Sequence, residues 1–306
     1  MMELIKGIDI CICTFNRADY LQQCVELLTP QLEGNVILTI VDNHSTDNSA
    51  EYIQSIVEVD KRIRGLTEST KGLSRARNKG WKESNHEWIL YLDDDCVPEH
   101  DFVKNALKST SDHPELAAIG GPIYPVFSSP RPAWLPEHFG EFKMKFDQFT
   151  IIDKGYIRGG CFLIQKKVLE KLDGFKTNLG IQGHTLGYGE EIELQDRMKS
   201  KGLLIGYNPK LKVGHHVRIE KINPRWILFS EYARRRDKMI FAPIGLGKAF
   251  AASLKTIGGR IIRIPVYSYR LMVNKNYTLN HALLDWMKPI MYRSGELIGV
   301  IKNLFK

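Results

Sequence analysis

Residues 88–98 read WILYLDDDCVP, an apolar run that stops abruptly in three adjacent carboxylates, Asp93, Asp94 and Asp95. A short continuous apolar run bounded by a turn signal suits a central strand of a parallel sheet. In open α/β sheets ligands collect beyond the carboxyl ends of such strands, so this strand is expected to carry charge to a binding edge. Side chains alternate along a strand, which lets Asp93 and Asp95 share one face. Two carboxylates held close raise each other's pKa unless a cation between them favours the ionised pair. An all-oxygen pair suits Mg²⁺ or Mn²⁺ better than zinc. The competing reading is a solvated acidic loop in which one Asp caps a helix opened by Pro98. Capping accounts for one Asp and leaves two unexplained.

The rest of the chain repeats this arrangement. Residues 8–15, IDICICTF, predict a first strand that breaks at Asn16 and Arg17, followed by a helix over 19–28 with Leu21, Val25 and Leu28 on one face and Asp19 as its cap. A second strand over 36–41 ends at Asp42 and Asn43, and a weaker one over 63–68 leads through KGLSRARNKG into a helix reaching Trp81. Helix 99–109, strand 116–123, strand 156–165 entered through Gly159 and Gly160, and a helix to Leu172 continue the alternation. Two adjacent glycines there allow close backbone approach to a ligand, or equally mark a bulge. Next come GYGEEIELQDRMKSKG, a charged helix begun by Glu190 and Glu191, and a last strand-like piece, LLIGYNPKLKVGHH. The pattern predicts an α/β protein with a doubly wound, mostly parallel sheet flanked by helices. The long stretch 122–140, rich in proline and carrying Trp134 and Phe139, is expected to be an irregular loop whose aromatics form an acceptor-binding rim or pack beneath it.

Charge divides the chain. Residues 1–216 carry 26 Lys and Arg against 30 Asp and Glu, whereas 217–306 carry 17 against 5, so the formal +8 comes from the tail. Two parts are therefore expected, an acidic working domain over 1–216 and a basic, mainly helical extension over 217–306. In that extension ARRRDK and the spaced Lys248, Lys255, Arg260, Arg263 and Arg270 lie among Phe250, Leu254 and Ile261. Such a mixture suits helices on an anionic membrane surface, or a solvated charged face on packing helices. Five cysteines without zinc-finger spacing point to buried thiols in a reducing compartment. Lys6 alone precedes the first strand as a basic residue, no signal-peptide pattern is present, and no apolar run reaches the ~20 residues of a membrane span. The expected location is the cytoplasm, with peripheral attachment to the inner face of the plasma membrane open.

Together the strand ends offer Asp42, Asn43, Asp93 and Asp95, with Arg75 and Arg77 on a basic loop, an outline that suits a nucleoside diphosphate. Arg75 and Arg77 cannot both face one site from a regular helix. Glu193 has Arg197 four residues on for a surface pair, and Glu190 lies on that same face while Glu191 turns away. Either Glu190 or Glu191 could serve as a general base. His215 and His216 end a strand and point to opposite faces, so at most one reaches the cation edge.

The order of the motifs ICTFNR, VDNHSTDNS, GLSRARNKG, YLDDDC, GGCFLIQKKVLEKLDGF and GYGEEIELQDRMKSKG resembles the successive signatures of family 2 glycosyltransferases of the GT-A fold, over about residues 8–216. The resemblance implies an inverting transfer of a sugar from a nucleoside diphosphate sugar, a UDP-sugar favoured, to a saccharide or lipid-linked acceptor in polysaccharide or glycolipid biosynthesis. It implies Asp42 at the nucleobase, Asp93 at the ribose and Asp95 on a Mn²⁺ or Mg²⁺ ion. Thr14, Asn16, Arg17, Arg77, Asn78, Asp94 and Gly160 would line the donor pocket, Glu191 would be the base with Glu190 its alternate, and His215 or His216 would add a metal ligand. A sugar-1-phosphate nucleotidyltransferase is the enzymatic rival, but it should carry a glycine-rich loop where this chain has TFNRADY. A non-catalytic carbohydrate or polyanion binder is the other alternative; nucleic acid is not an expected partner.

Overall fold

Burial on both faces, expected for the apolar strands, holds in the computed structural model, which describes residues 4–305. The chain runs β1 (Ile5–Thr14), α1 (Ala18–Leu28), β2 (Val36–Asp42), α2 (Ser49–Val59), β3 (Ile63–Thr67), α3 (Leu73–Glu83), β4 (His86–Asp93), β5 (Cys96–Pro98) and α4 (Phe102–Asp112). It continues with β6 (Ala118–Gly120), β7 (Ile123–Phe127), β8 (Thr150–Ile151), β9 (Cys161–Gln165), α5 (Lys166–Lys171), α6 (Glu190–Ser200), β10 (Ile205–Tyr207) and β11 (Val213–Val217). Four helices follow: α7 (Pro224–Phe241), α8 (Leu246–Ile262), α9 (Ile264–Val273) and α10 (Leu279–Leu304).

Alternation along the strands sorts their side chains into two cores. Ile8, Ile10 and Ile12 of β1 and Trp88, Leu90 and Leu92 of β4 fill one core with α1, α2 and α4, through residues such as Leu21, Ile53 and Phe102. Cys11, Ile89 and Tyr91 point the other way and pack with Ala76 of α3, Leu169 of α5 and Leu194 of α6. Each fully buried Ile or Leu contributes about 1.5–3 kcal/mol relative to exposure, so a strand apolar on both faces is stable only at the centre of such a sandwich.

The main sheet has eight strands in the order β3-β2-β1-β4-β9-β6-β10-β8. β3, β2, β1 and β4 are parallel, β9 runs antiparallel to both its neighbours, β6 and β10 are parallel, and β8 closes the edge antiparallel. The expected doubly wound, mostly parallel sheet with helices on both faces is what the chain forms. A second, three-stranded sheet has the order β5-β11-β7.

Several local expectations change. Helix α1 starts at Ala18 with no side-chain cap; its first amide is taken by Asp47 Oδ2 at 3.1 Å, and Asp19 lies within the first turn. Pro98 ends strand β5 and opens no helix; α4 starts at Phe102. The piece LLIGYNPKLKVGHH forms two strands in two different sheets, β10 and β11, separated by a turn at Asn208.

The chain divides into two compact units: the first runs to Val126 and adds Gly140–His184 and Glu190–His216, and the second takes Phe127–Phe139, Thr185–Gly189 and everything from Val217 onward. In the second unit Leu135, Ile227, Leu228 and Leu284 form a core against which Trp134, Phe139 and Trp226 pack. The aromatics of the proline-rich stretch are thus packing residues of this unit. Helices α7 and α10 approach closely at Gly295 and Gly299, and the fully buried Glu296 of α10 is paired with Arg235 of α7 and with Arg293 at 2.8 Å. A Cβ at residue 295 would stand 2.1 Å from the Tyr232 carbonyl oxygen, a contact that only separation of the helices relieves. Gly295→Ala is therefore expected to destabilise the second unit by about 1–3 kcal/mol, read as a lowered thermal midpoint by circular dichroism.

Candidate active site

Register across the parallel strands brings the carboxylates to one edge. Thr14 stands opposite Asp42, and Cys13 opposite Asp93, so the ends of β2, β1 and β4 are level. Asp93 is the last residue of β4, and the two residues after it turn into β5. β11 pairs antiparallel with β5, His215 opposite Cys96, which sets His215 beside Asp95.

Neighbouring carboxylates separate by direction. His215 Nε2 lies 2.9 Å from Asp95 Oδ1 and 3.5 Å from Asp93 Oδ2. One ligand atom from each of Asp93, Asp95 and His215 falls within 4.8 Å of the others. Burial works against the charge of Asp93, but the His215 hydrogen bond and the Arg77 guanidinium outweigh it and hold the carboxyl below its ordinary range. Asp94 turns inward instead, accepting from Thr14 Oγ1 at 2.8 Å and from Arg17 Nη1 at 2.7 Å. Burial pushes Asp94 up to about 6, with the Asp95 charge adding and Arg17 opposing. Two carboxylates and one imidazole form a hard, oxygen-rich donor set that fits Mn²⁺ or Mg²⁺. His216 stands outside this cluster, its ring tilted against Tyr20 at 5.4 Å, and burial holds its pKa below the usual histidine value.

Arg77 joins this edge to α6. Its buried guanidinium donates to Glu190 Oε1 at 2.9 Å and to Asp93 Oδ1 at 3.3 Å, and lies 5.8 Å and 5.5 Å from the ring centres of Tyr91 and Phe175. Arg75 is exposed, as their two-residue spacing requires. Glu190 is buried, and that burial, reinforced by the adjacent Glu191 charge and opposed by Arg77, pushes it up to about 8. Glu191 is half-buried, and its carboxylate has no hydrogen bond or ion pair among the described residues. Glu193 pairs with Arg197 at 2.8 Å, as its spacing predicts, and also with Lys176 at 2.7 Å.

The remaining positions shape the rim. Asn16, with φ of 55°, accepts from the Thr46 amide at 2.6 Å and so ties the β1–α1 loop to the loop after β2. Asp42 accepts from the Ser45 amide at 3.1 Å. Asn43 holds the 68–72 segment through the carbonyls of Glu68 and Thr70 and the amide of Gly72. Asn78 is a strap: its side chain donates to the Phe175 carbonyl at 2.7 Å and accepts from the Phe175 amide at 2.8 Å. The glycine pair, expected to admit a ligand or mark a bulge, makes room for site side chains: a Cβ on Gly159 would lie 2.9 Å from Arg77 Nη2 and one on Gly160 3.0 Å from Asp93 Oδ2. Sequence reasoning passed over Phe15, Lys71 and His184, which gather with Lys71 Nζ 4.8 Å over the Phe15 ring and the His184 ring 5.6 Å from it. The three are distant in sequence, and no spacing pattern links them.

Removing Arg77 would take the shared guanidinium from the buried Glu190 and from the partly exposed Asp93. Arg77→Met is expected to cost about 1–3 kcal/mol of unfolding free energy in urea titrations, the cost of leaving a buried polar group without its partner. A group with a raised folded pKa stabilises only while protonated: the Glu190 contribution is full below its ordinary 4.5 and is lost as pH rises through about 8. The wild-type unfolding midpoint should therefore fall between about pH 5 and pH 8 relative to Glu190→Gln, whose profile is flatter.

Residues 9–173 match the family model described as glycosyl transferase family 2. Over 241 residues the chain is 20% identical to a glucosyl-dolichyl phosphate glucuronosyltransferase of Haloferax volcanii, covering 76% of each. Over 121 residues it is 25% identical to a poly-beta-1,6-N-acetyl-D-glucosamine synthase of Staphylococcus aureus, 39% of this chain and 29% of that protein. A mannosyltransferase of Pyrobaculum calidifontis, solved in complex with GDP-Man and Mn²⁺, superposes with a TM-score of 0.60 at 15% identity, covering 99% of this chain and 90% of the other. The fold is thus that of a GT-A glycosyltransferase, and the chain belongs to glycosyl transferase family 2.

Proposed function

We propose that this chain is an inverting, metal-dependent glycosyltransferase that moves a sugar from a nucleoside diphosphate sugar to an acceptor hydroxyl in glycan biosynthesis. The observation that carries this reading is the Asp93, Asp95 and His215 cluster at the carboxyl edge of the sheet, linked through Arg77 to the start of α6. A divalent cation held by these three residues would supply positive charge toward a leaving diphosphate. Asp42 is assigned to the nucleobase, and Asp93 faces the ribose side of the donor as well as the cation. Asp94 keeps Arg17 and Thr14 in place, and Gly160 leaves the space that Asp93 needs.

Glu191 is the assigned base. Glu190 is engaged by Arg77 and holds the start of α6 against the acidic edge, whereas the Glu191 carboxylate is half-buried with its acceptor capacity unspent. It would take the proton of the acceptor hydroxyl as that oxygen attacks the anomeric carbon from the side opposite the diphosphate, which leaves with inversion. The acceptor is a saccharide or a lipid-linked sugar; the Haloferax relative, named for a glucosyl-dolichyl phosphate, supports the second. The basic helices of the second unit would then lie on an anionic membrane surface, although none of the described helices is long and apolar enough to cross one.

Donor binding and transfer should separate by residue. Asp95→Asn is expected to lose Mn²⁺-dependent donor binding in calorimetry, while Glu191→Gln keeps that binding and loses about 10²–10⁴-fold in transfer rate. Equal donor affinity in wild type and Asp95→Asn would contradict the assignment. A panel of UDP, GDP and dTDP sugars with Mn²⁺, read as release of nucleoside diphosphate, sorts the base: the family resemblance favours UDP, and the structural neighbour holds GDP-Man.

A further inference from the structure

Helix α8 is amphipathic in an inverted sense. Phe250, Leu254, Ile257 and Ile261 recur at helical spacing and form one stripe, and all four are exposed, at 53%, 57%, 42% and 57%. In an ordinary surface helix such a stripe would pack inward. On the opposite side Lys255 and Gly259, with Arg263 just past the end of the helix, line an open cavity of about 650 Å³ bounded also by α7 and α10.

That cavity is strongly cationic. Lys255, Arg260, Arg263, Lys288 and Arg293 reach its wall against one carboxylate, Glu231. Glu231 is shared by Lys288 at 3.3 Å and Arg234 at 3.5 Å, and Arg293 is engaged by Glu296. Lys255 and Arg263 have no ion pair among the described residues, so the cavity keeps uncompensated positive charge. Its floor is fixed by the chain itself. Pro289 inside α10 has no N–H for the Asp285 carbonyl, and Arg260 Nη1 donates to that oxygen at 3.3 Å instead, while also bonding the Tyr267 hydroxyl at 2.8 Å. Thr256 and Tyr292 add hydroxyls at the wall.

We propose that this cavity binds the anionic phosphate headgroup of a membrane lipid, with the exposed stripe of α8 seated among the acyl chains. The inference rests on the membrane-surface part of the function proposed above and gives it a specific ligand. Charge complementarity selects a phosphate: guanidinium groups pair with its oxygens in a fork geometry, and hydroxyls supply the remaining donors. An interfacial helix sinks its apolar face only about 5–10 Å, which leaves its cationic face at the level of the headgroups. The apolar stripe and the cationic cavity lie on opposite faces of one helix, so a single lipid layer satisfies both.

The test uses the full chain and two kinds of phosphatidylcholine vesicle matched in surface charge, one containing phosphatidic acid and the other cholesteryl hemisuccinate, a carboxylate. Flotation should show about tenfold or greater preference for phosphatidic acid, and Lys255→Gln with Arg263→Gln should abolish that ratio while the protein still melts as wild type. Leu254→Glu should weaken binding to both vesicles and leave the ratio intact. Equal partitioning of wild type onto the two vesicles, or an unchanged ratio in the double variant, would overturn the phosphate site while leaving membrane attachment standing. No binding to either vesicle would overturn both. Displacement by millimolar inorganic phosphate at constant ionic strength would overturn the lipid as its source, and persistence of binding under that challenge supports it.

Discussion

Three consecutive carboxylates can be held at one sheet edge only if their mutual repulsion is offset, because like charges at that spacing would otherwise drive protonation. Here the turn after β4 sends Asp94 inward to Arg17 and Thr14, while Asp93 meets Arg77 and His215, and Asp95 meets His215. The partners come from the start of α1, from α3 and from β11. The acidic tip is thus the point at which several separate elements are tied together.

The same division recurs at the start of α6. Of two adjacent glutamates, Glu190 is fastened by the buried Arg77 and Glu191 is left to the half-exposed side. In each acidic run one carboxylate is fastened by an arginine side chain and a neighbour is left to the open side. Arg77 bridges the two runs, and its place between the Tyr91 and Phe175 rings gives it a fixed, low-dielectric seat in which the charge pairs are stronger than they would be in water.

Local pattern made much of this legible. The run that becomes β4 is apolar because both its faces are buried; Asp93 and Asp95 do share one side, but through the turn at residues 94–95 and not through strand alternation. What could not be read was pairing. Alternation said that only one of His215 and His216 reaches the edge, but which one depends on β11 aligning His215 with Cys96, a register set by tertiary contact. Pro98 looked like a helix start because its partner strand was invisible from sequence. That Gly159 and Gly160 leave room for the Arg77 and Asp93 side chains depends on how β9 packs beside β4, which no local pattern carries. In the tail, composition announced charge but not that α8 would carry its apolar stripe outward, since that depends on how α7 and α10 close on each other.

The account depends on a divalent cation being held by the two aspartates and one imidazole. The most direct measurement is electron-spin-echo modulation of the Mn²⁺-loaded protein in the presence of nucleoside diphosphate. Nitrogen coupling from a single imidazole is expected in wild type and in His216→Gln, and absent in His215→Gln. Coupling that survives His215→Gln, or is missing from wild type, would contradict it.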